Sequence, residues 1–346
     1  MRPYRTLLIL PLILCLTGCP PAGTTRDVDP AVKGRIVGQP KDPPRVPARK
    51  PVLLDPALAA AARVELTAAL HVADPIIRIH ALEAIRLTTG DEHKADIIQC
   101  LSDNEAVVRF AAALAAGELR LSEAHAKLLS MTDDRSENVR VAVRFALHRV
   151  GDTRYSHDLE HMAQDPNAVV RTHVAMVLGL IGEPSALGIL RVMRRDPDVA
   201  VRQQAAESMW RLHDDDALKE LVGLTVSKFY DDQMFAMLAL AAPRDTRIRQ
   251  YLRGGLVAEA DDKNKINEVP LVAARGMGML GSDEGYGVAL EGAASPDLRQ
   301  RVLAAFAFGA IGRSDAQDVL RKLLKDEDPN VRIAAAAGIL QLKPPV

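Results

Sequence analysis

The chain has 346 residues, 48% of them apolar, 26% charged and 3% aromatic, and a formal net charge of −1. That balance excludes the concentrated basic face of a general nucleic-acid binder. Its three cysteines, Cys15, Cys19 and Cys100, are too few for a disulfide framework.

The first residues have the layout of an export signal. Arg2 and Arg5 precede an almost wholly apolar run over Thr6–Leu16, which is shorter than the ~20 residues a transmembrane helix needs. The run ends in Leu16-Thr17-Gly18-Cys19, which resembles the bacterial lipobox. That resemblance implies cleavage before Cys19 and lipid attachment to its thiol and new amine; the alternative is an ordinary secretion signal. Pro20 follows in place of the aspartate that retains lipoproteins at the inner membrane in enterobacteria-like sorting, so the outer membrane is within reach. Residues 19–51 read as a tether. Prolines at 20, 21, 30, 40, 43, 44, 47 and 51 are interleaved with basic residues, and aromatics are absent, so burial cannot offset the entropy of ordering. Loss of residues 1–18 removes two arginines and no acid, which takes the charge from −1 to −3. Cys15 leaves with the signal and Cys19 carries lipid, so Cys100 has no cysteine to pair with.

From residue 52 the chain repeats. Arg78, Arg109, Arg140, Arg171 and Arg202 are spaced by 31, Gln233 and Pro270 continue the register, and Arg301 and Arg332 resume it. Only the step from Gln233 to Pro270 is longer, at 37. A period of this size predicts stacked two-helix units, because one such unit cannot bury its apolar face alone. Aspartate stands six residues before the register at Asp103, Asp134, Asp165, Asp196 and Asp326, or four before at Asp74 and Asp328. With the prolines that often follow, these predict helix starts. Gly151, Gly182, Gly281 and Gly312, each 11 after the register, predict left-handed helix ends. Between these signals run alanine-rich helices such as Val170–Ile181 and Val302–Ile311, each preceded by a shorter helix such as Ala186–Arg194. Cys100 falls in the core column of that shorter helix.

Stretches such as Asp328-Pro329-Asn330-Val331-Arg332-Ile333-Ala334-Ala335 resemble the HEAT repeat, and more narrowly the HEAT-like units of bacterial phycobilin lyases. The resemblance covers about residues 52–343 as nine units, two of them degenerate, and implies an all-α, right-handed α-solenoid over residues 52–346. It also implies that Arg78, Arg109, Arg140, Arg171, Arg202, Arg301 and Arg332 form an internal ladder with aspartates of neighbouring units, rather than a nucleic-acid surface. It says little of function, since these repeats serve scaffolds and enzymes alike.

In such repeats the second helices display positions +1, +2, +5 and +9 after the register. Here these hold Phe110, Leu114, Phe145, Met176, Phe235 and Phe306, with Val141, Met234, Leu238 and Val302 beside them. An exposed stripe of this kind marks a partner site; the alternative is packing between the helices. A second candidate is the irregular stretch 229–268, with Phe229, Tyr230, Tyr251 and the acidic run Glu259–Asp262.

All nine histidines lie between His71 and His213, and His157-Asp158-Leu159-Glu160-His161 matches H-x-x-E-H, which sets two imidazoles one turn apart. A zinc enzyme on His157 and His161 is therefore the competing expectation. Glu92-His93 and Glu160-His161 reverse the His-Glu order of HEAT-like metal hydroxylases and occur in only two units. Export argues against a lyase or a DNA glycosylase, which work in the cytoplasm. The leading expectation is a lipid-anchored, non-catalytic scaffold that binds a protein or peptide in the bacterial cell envelope, with no cofactor and no nucleic acid.

Overall fold

The structure, a computed structural model, describes residues 52–258 and 267–342. The signal segment, Cys19, the tether 19–51 and Glu259–Asp262 lie outside the described residues. Those described form eighteen α-helices joined by turns and short 3-10 segments, and no strand occurs among them. Nine lead helices alternate with nine register helices. The lead helices are α1 (Pro56–Ala69), α3 (Lys94–Cys100), α5 (His125–Leu129), α7 (Asp158–Met162), α9 (Leu187–Met193), α11 (Asp215–Leu224), α13 (Arg249–Leu256), α15 (Tyr286–Ala293) and α17 (Ala316–Leu323). The register helices are α2 (Pro75–Thr88), α4 (Ala106–Glu118), α6 (Glu137–Arg149), α8 (Ala168–Ile181), α10 (Val199–Arg211), α12 (Tyr230–Ala241), α14 (Val269–Met279), α16 (Leu298–Ile311) and α18 (Pro329–Gln341). The protein is an all-α solenoid of two-helix repeats. Two compact units are present, residues 63–214 and residues 52–62 with 215–342.

The core follows the repeat. Three residues past the register stand Ala81, Ala112, Val143, Val174, Ala205, Ala236, Ala273, Ala304 and Ala335, all fully buried. Seven past it stand larger side chains, among them Ile85, Leu147, Met209, Leu240, Met277, Phe308 and Ile339, also fully buried. Cys100 is buried, and desolvation, with Asp103 and Asp96 adding, pushes its thiol up to about 11. The thiol is a core group and not a reactive one.

Most turns between repeats are tied by one arginine. The register guanidinium donates from Nη1 to carbonyls five and six residues earlier, as Arg109 does to Asp103 and Asn104 at 2.9 and 3.0 Å. Its other edge forms a two-bond fork with the aspartate that opens the next turn. Arg78 binds Asp103, Arg109 binds Asp134, Arg171 binds Asp196 and Arg301 binds Asp326, all at 2.8–3.1 Å. The side chains in these rungs are only 8–14% exposed. Burial raises the Asp134, Asp196 and Asp326 carboxyls, but the arginine bonds and a loop N–H outweigh it and hold them below the usual carboxylate range.

Not every register arginine makes a rung. Arg140 instead binds Glu137 on its own helix at 3.0 Å, while Arg144 binds Asp158 at the start of the lead helix α7 at 2.9 Å. Arg202 keeps only its loop carbonyls, since Ser227 stands where the next aspartate would be. The neutral Gln233 still reaches the Ser227 carbonyl at 2.5 Å.

The aspartates six before the register close their own loops by accepting the N–H two residues on, as Asp134 does from Ser136 at 2.9 Å. The helix caps proper sit four before the register: Asp74, Asn167, Asp198, Asp297 and Asp328 accept helical N–H groups. The four glycines 11 past the register have φ of 72–101°, and Arg120, His213 and Arg244 hold the same conformation at that position in other repeats, with φ of 51–63°.

In the second unit the first described residues lie against the last lead helix. Asp55 accepts from Arg321 at 2.8 Å, its N–H donates to Gln317 at 2.9 Å, and Gln317 donates to the Leu53 carbonyl at 3.1 Å. The chain therefore joins this unit beside α17. The apolar side chains of α18 are covered: Val331, Ile333, Ile339, Leu340 and Leu342 are all at most 8% exposed.

Loss of a rung should cost more than loss of a loop cap. Asp134→Ala leaves a near-buried guanidinium without its acid and is expected to cost about 3 kcal/mol. Asp165, whose carboxylate binds only the Asn167 N–H, should cost about 1 kcal/mol on the same change. Chemical denaturation of the two variants checks the difference.

Candidate functional site

The apolar stripe expected on the register helices is not presented to solvent. Phe110, Leu114, Phe145, Met176, Phe235 and Phe306 are each at most 8% exposed, and Val141, Met234 and Val302 are equally buried. Phe110 packs on the His173 ring with centroids 4.4 Å apart, and the Arg275 guanidinium lies 4.8 Å over the Phe306 ring. These residues pack helices of one unit together, a correction to the exposed surface that the +1 and +5 columns suggested.

The reason is a second glycine column, eight past the register. An added Cβ on Gly117 would lie 2.9 Å from the Ala146 Cα, on Gly179 2.9 Å from the Ser208 Cα, and on Gly309 2.8 Å from the Gly338 Cα. On Gly278 it would meet the Ala310 carbonyl carbon at 2.6 Å. Consecutive register helices thus touch backbone to backbone, and side chains one turn away are enclosed.

Toward their C-terminal ends the register helices of the first unit carry charge. The same +5 to +9 positions carry Glu83 and Arg86 on α2, Glu118 on α4, Arg149 on α6, and Glu207 and Arg211 on α10. Arg86 hydrogen-bonds Glu83 on its own helix and Glu118 on α4. Arg211 binds Glu207 through Nε at 3.0 Å, and Gln204 donates to the same carboxylate at 2.8 Å. Arg211 also feels the charges of Glu118 and Arg86, so the C-terminal ends of α2, α4 and α10 converge. Burial pulls the Arg86 guanidinium down, yet Glu83 and Glu118 outweigh it and hold it above its ordinary value. Glu207 does the same for Arg211. Glu83 and Glu207 are nearly buried, whereas Glu118 and Arg211 keep 27% and 28% of their side chains exposed. The acids and bases in these columns were visible in the sequence, but attention to apolar residues passed them over.

The histidines do not gather. His157, 74% exposed, binds the adjacent Asp158 at 3.0 Å, and His161 is exposed. Asp158 is the ion-pair partner of Arg144 and Leu159 is core, so H-x-x-E-H is spent on an ordinary lead helix. His125 binds Asp152 at 3.1 Å, and His148 binds Glu183 at 3.1 Å. Among the described residues no three histidine, cysteine, aspartate or glutamate side chains are placed to hold a metal ion. No described helix is long and apolar enough to cross a membrane. A shallow cleft between the turns after α4 and α6 is lined by His125, Asp152 and Arg154, with Asp152 already held by Arg154 at 2.7 Å.

The profile of HEAT repeats matches residues 64–147, 125–194 and 287–346. The chain is a HEAT-repeat protein. Solved structures that resemble it include the complex of CpcE and CpcF of phycocyanin lyase from Nostoc sp. PCC7120, at 20% identity over 70% of this chain and 92% of that chain, with a TM-score of 0.34. Human deoxyhypusine hydroxylase matches at 19% identity over 83% and 97%, TM-score 0.35. Kap121p matches at 12% identity over 82% and 37%, TM-score 0.35. No curated protein sequence gives a significant match. At these similarities the function of this HEAT-repeat protein has to be argued from its own residues.

Two properties can be measured directly. Gly117→Ala, which would favour an isolated helix, should instead destabilise the protein by about 1–3 kcal/mol, because the contacting backbone must retreat; thermal unfolding reads this. His173 donates from Nδ1 to Asn138 at 2.8 Å while its Nε2 is buried without a partner, and burial lowers its pKa to about 3. Because the unfolded chain protonates near pH 6.5 and the folded chain does not, stability should fall from pH 6.5 to 5 by up to ~1.4 kcal/mol per pH unit. His173→Asn, which keeps a donor for Asn138, should lose that slope in denaturant titrations.

Proposed function

We propose that this HEAT-repeat protein is a non-catalytic scaffold that holds a protein partner in the bacterial cell envelope, anchored by lipid on Cys19 through residues 19–51. The observation that carries the scaffold reading is the paired, part-exposed charge at the converging ends of α2, α4 and α10. Fixed ion pairs of this kind set orientation and partner choice at a protein interface. Beside them Leu87, 37% exposed at the +9 position of α2, offers apolar area for contact. The anchor rests on Leu16-Thr17-Gly18-Cys19; several acyl chains on one protein suffice for stable membrane attachment. No observation favours zinc chemistry at His157 and His161.

Photo-crosslinking in intact cells tests the scaffold, with a photoreactive side chain at Leu87 or, as control, at Val192 on the lead helix α9, which is 72% exposed. The expected outcome is one defined envelope-protein adduct from position 87 and none from 192. Equal adducts from both positions, or none from 87, would sink the reading. Cys19→Ser should abolish incorporation of a fatty-acid analogue and release the protein from membranes.

A further inference from the structure

Arg149 stands apart from the other charged groups of its unit. Its Nε is buried and lacks a hydrogen-bond partner, and it enters none of the ion pairs that hold Arg86, Arg144 and Arg211. Arg120, in the turn just after α4, is exposed, carries the strained φ of 51°, and likewise has no acid partner. The two arginines stand three residues past Gly117 and Ala146, whose backbones meet; burial lowers the Arg149 pKa and the charge of Arg120 lowers it further, against a weaker pull from Glu118. Glu118 is already engaged by Arg86.

A part-desolvated cation beside a like charge destabilises a fold unless an anion joins them. Elsewhere in the chain the remedy is a carboxylate forked by one guanidinium, as in the Arg109–Asp134 rung at 2.9 Å. Around Arg149 the described residues supply no such fork, since Glu118 is held by Arg86. We propose that Arg149 and Arg120 form a receptor for a carboxylate on an acidic segment of the partner protein, a site that rests on the scaffold reading and names the partner's chemistry. With its Nε buried, Arg149 presents the terminal Nη donors of its guanidinium, and the exposed Arg120 adds a second cation from the adjoining turn. The nearby Glu118 charge favours a monoanionic carboxylate over a phosphate dianion.

Calorimetric titration of the full chain in detergent with a hexaglutamate peptide tests this at 20 mM and 150 mM salt. Binding is expected at low salt and weaker at 150 mM. Arg149→Gln should lower affinity at least tenfold and Arg120→Gln severalfold. Arg154→Gln, which alters an exposed guanidinium on a neighbouring turn, should stay within twofold, and inorganic phosphate should not displace the peptide. Without peptide, Arg149→Met should raise the thermal midpoint by about 2 °C, because it removes a part-desolvated charge that no described residue pairs. A midpoint that falls would make Arg149 a structural residue and overturn the site. So would wild-type protein that ignores hexaglutamate, or equal losses from Arg154→Gln. Displacement by phosphate would overturn the carboxylate assignment. If hexaglutamate fails while the position-87 adduct persists, this inference falls and the scaffold stands. Peptide binding through Arg149 with no envelope adduct would keep the carboxylate site and remove the scaffold.

Discussion

The structure depends on backbone-to-backbone contact between successive register helices. A glycine eight past the register meets a small residue on the following helix at Gly117–Ala146, Gly179–Ser208 and Gly309–Gly338. Fully buried alanines at the +3 column, such as Ala112, Ala205, Ala304 and Ala335, complete the narrow face. At such short separations there is no room for a solvent channel between neighbouring helices, and side chains one turn away close against one another. That is why Phe110, Phe145 and Phe306 are core residues although helical spacing placed them on the face that HEAT repeats use for binding.

The arginine rungs solve a different problem. Each repeat ends in a turn whose carbonyls lack helical partners, and one guanidinium satisfies two of them while also gripping the next turn's aspartate. Five donors in a planar fork allow this; lysine could not do it. Gln233 preserves the carbonyl contact without the charge, and it stands where the repeat spacing is also irregular. The fork is dispensable locally: at Arg140 and Gln233 the turn keeps a carbonyl contact without it.

Close packing also sorts polar from apolar along the register helices of the first unit. Position +5 is apolar in the middle repeats, at Leu114, Phe145 and Met176, and acidic at the two ends, at Glu83 and Glu207. Those acids are buried yet matched by Arg86 and Arg211, which makes their burial tolerable. Among the described residues, Arg149 is the member of this group left unmatched. A charge kept at a cost in stability belongs at a recognition site more readily than in a structural network.

Much of the architecture was legible in the residues alone. A 31-residue period with arginine, aspartate and glycine at set offsets encodes two-helix repeats, because turn chemistry and helical amphipathicity are local properties written at fixed spacing. Gly151, Gly182, Gly281 and Gly312 were readable as left-handed helix ends for the same reason. What the tertiary structure alone decided was exposure and partnership across distance. Periodicity says which face of a helix a phenylalanine occupies, not how near the next helix stands. It could not disclose that Arg140 would turn to Glu137, that Asp158 of the histidine motif would serve Arg144, or that charges from the first, second and fifth repeats would meet. Nor could it place Asp55 beside Arg321, 266 residues away. Those outcomes depend on how closely and in what direction the helices stack, which no single repeat contains.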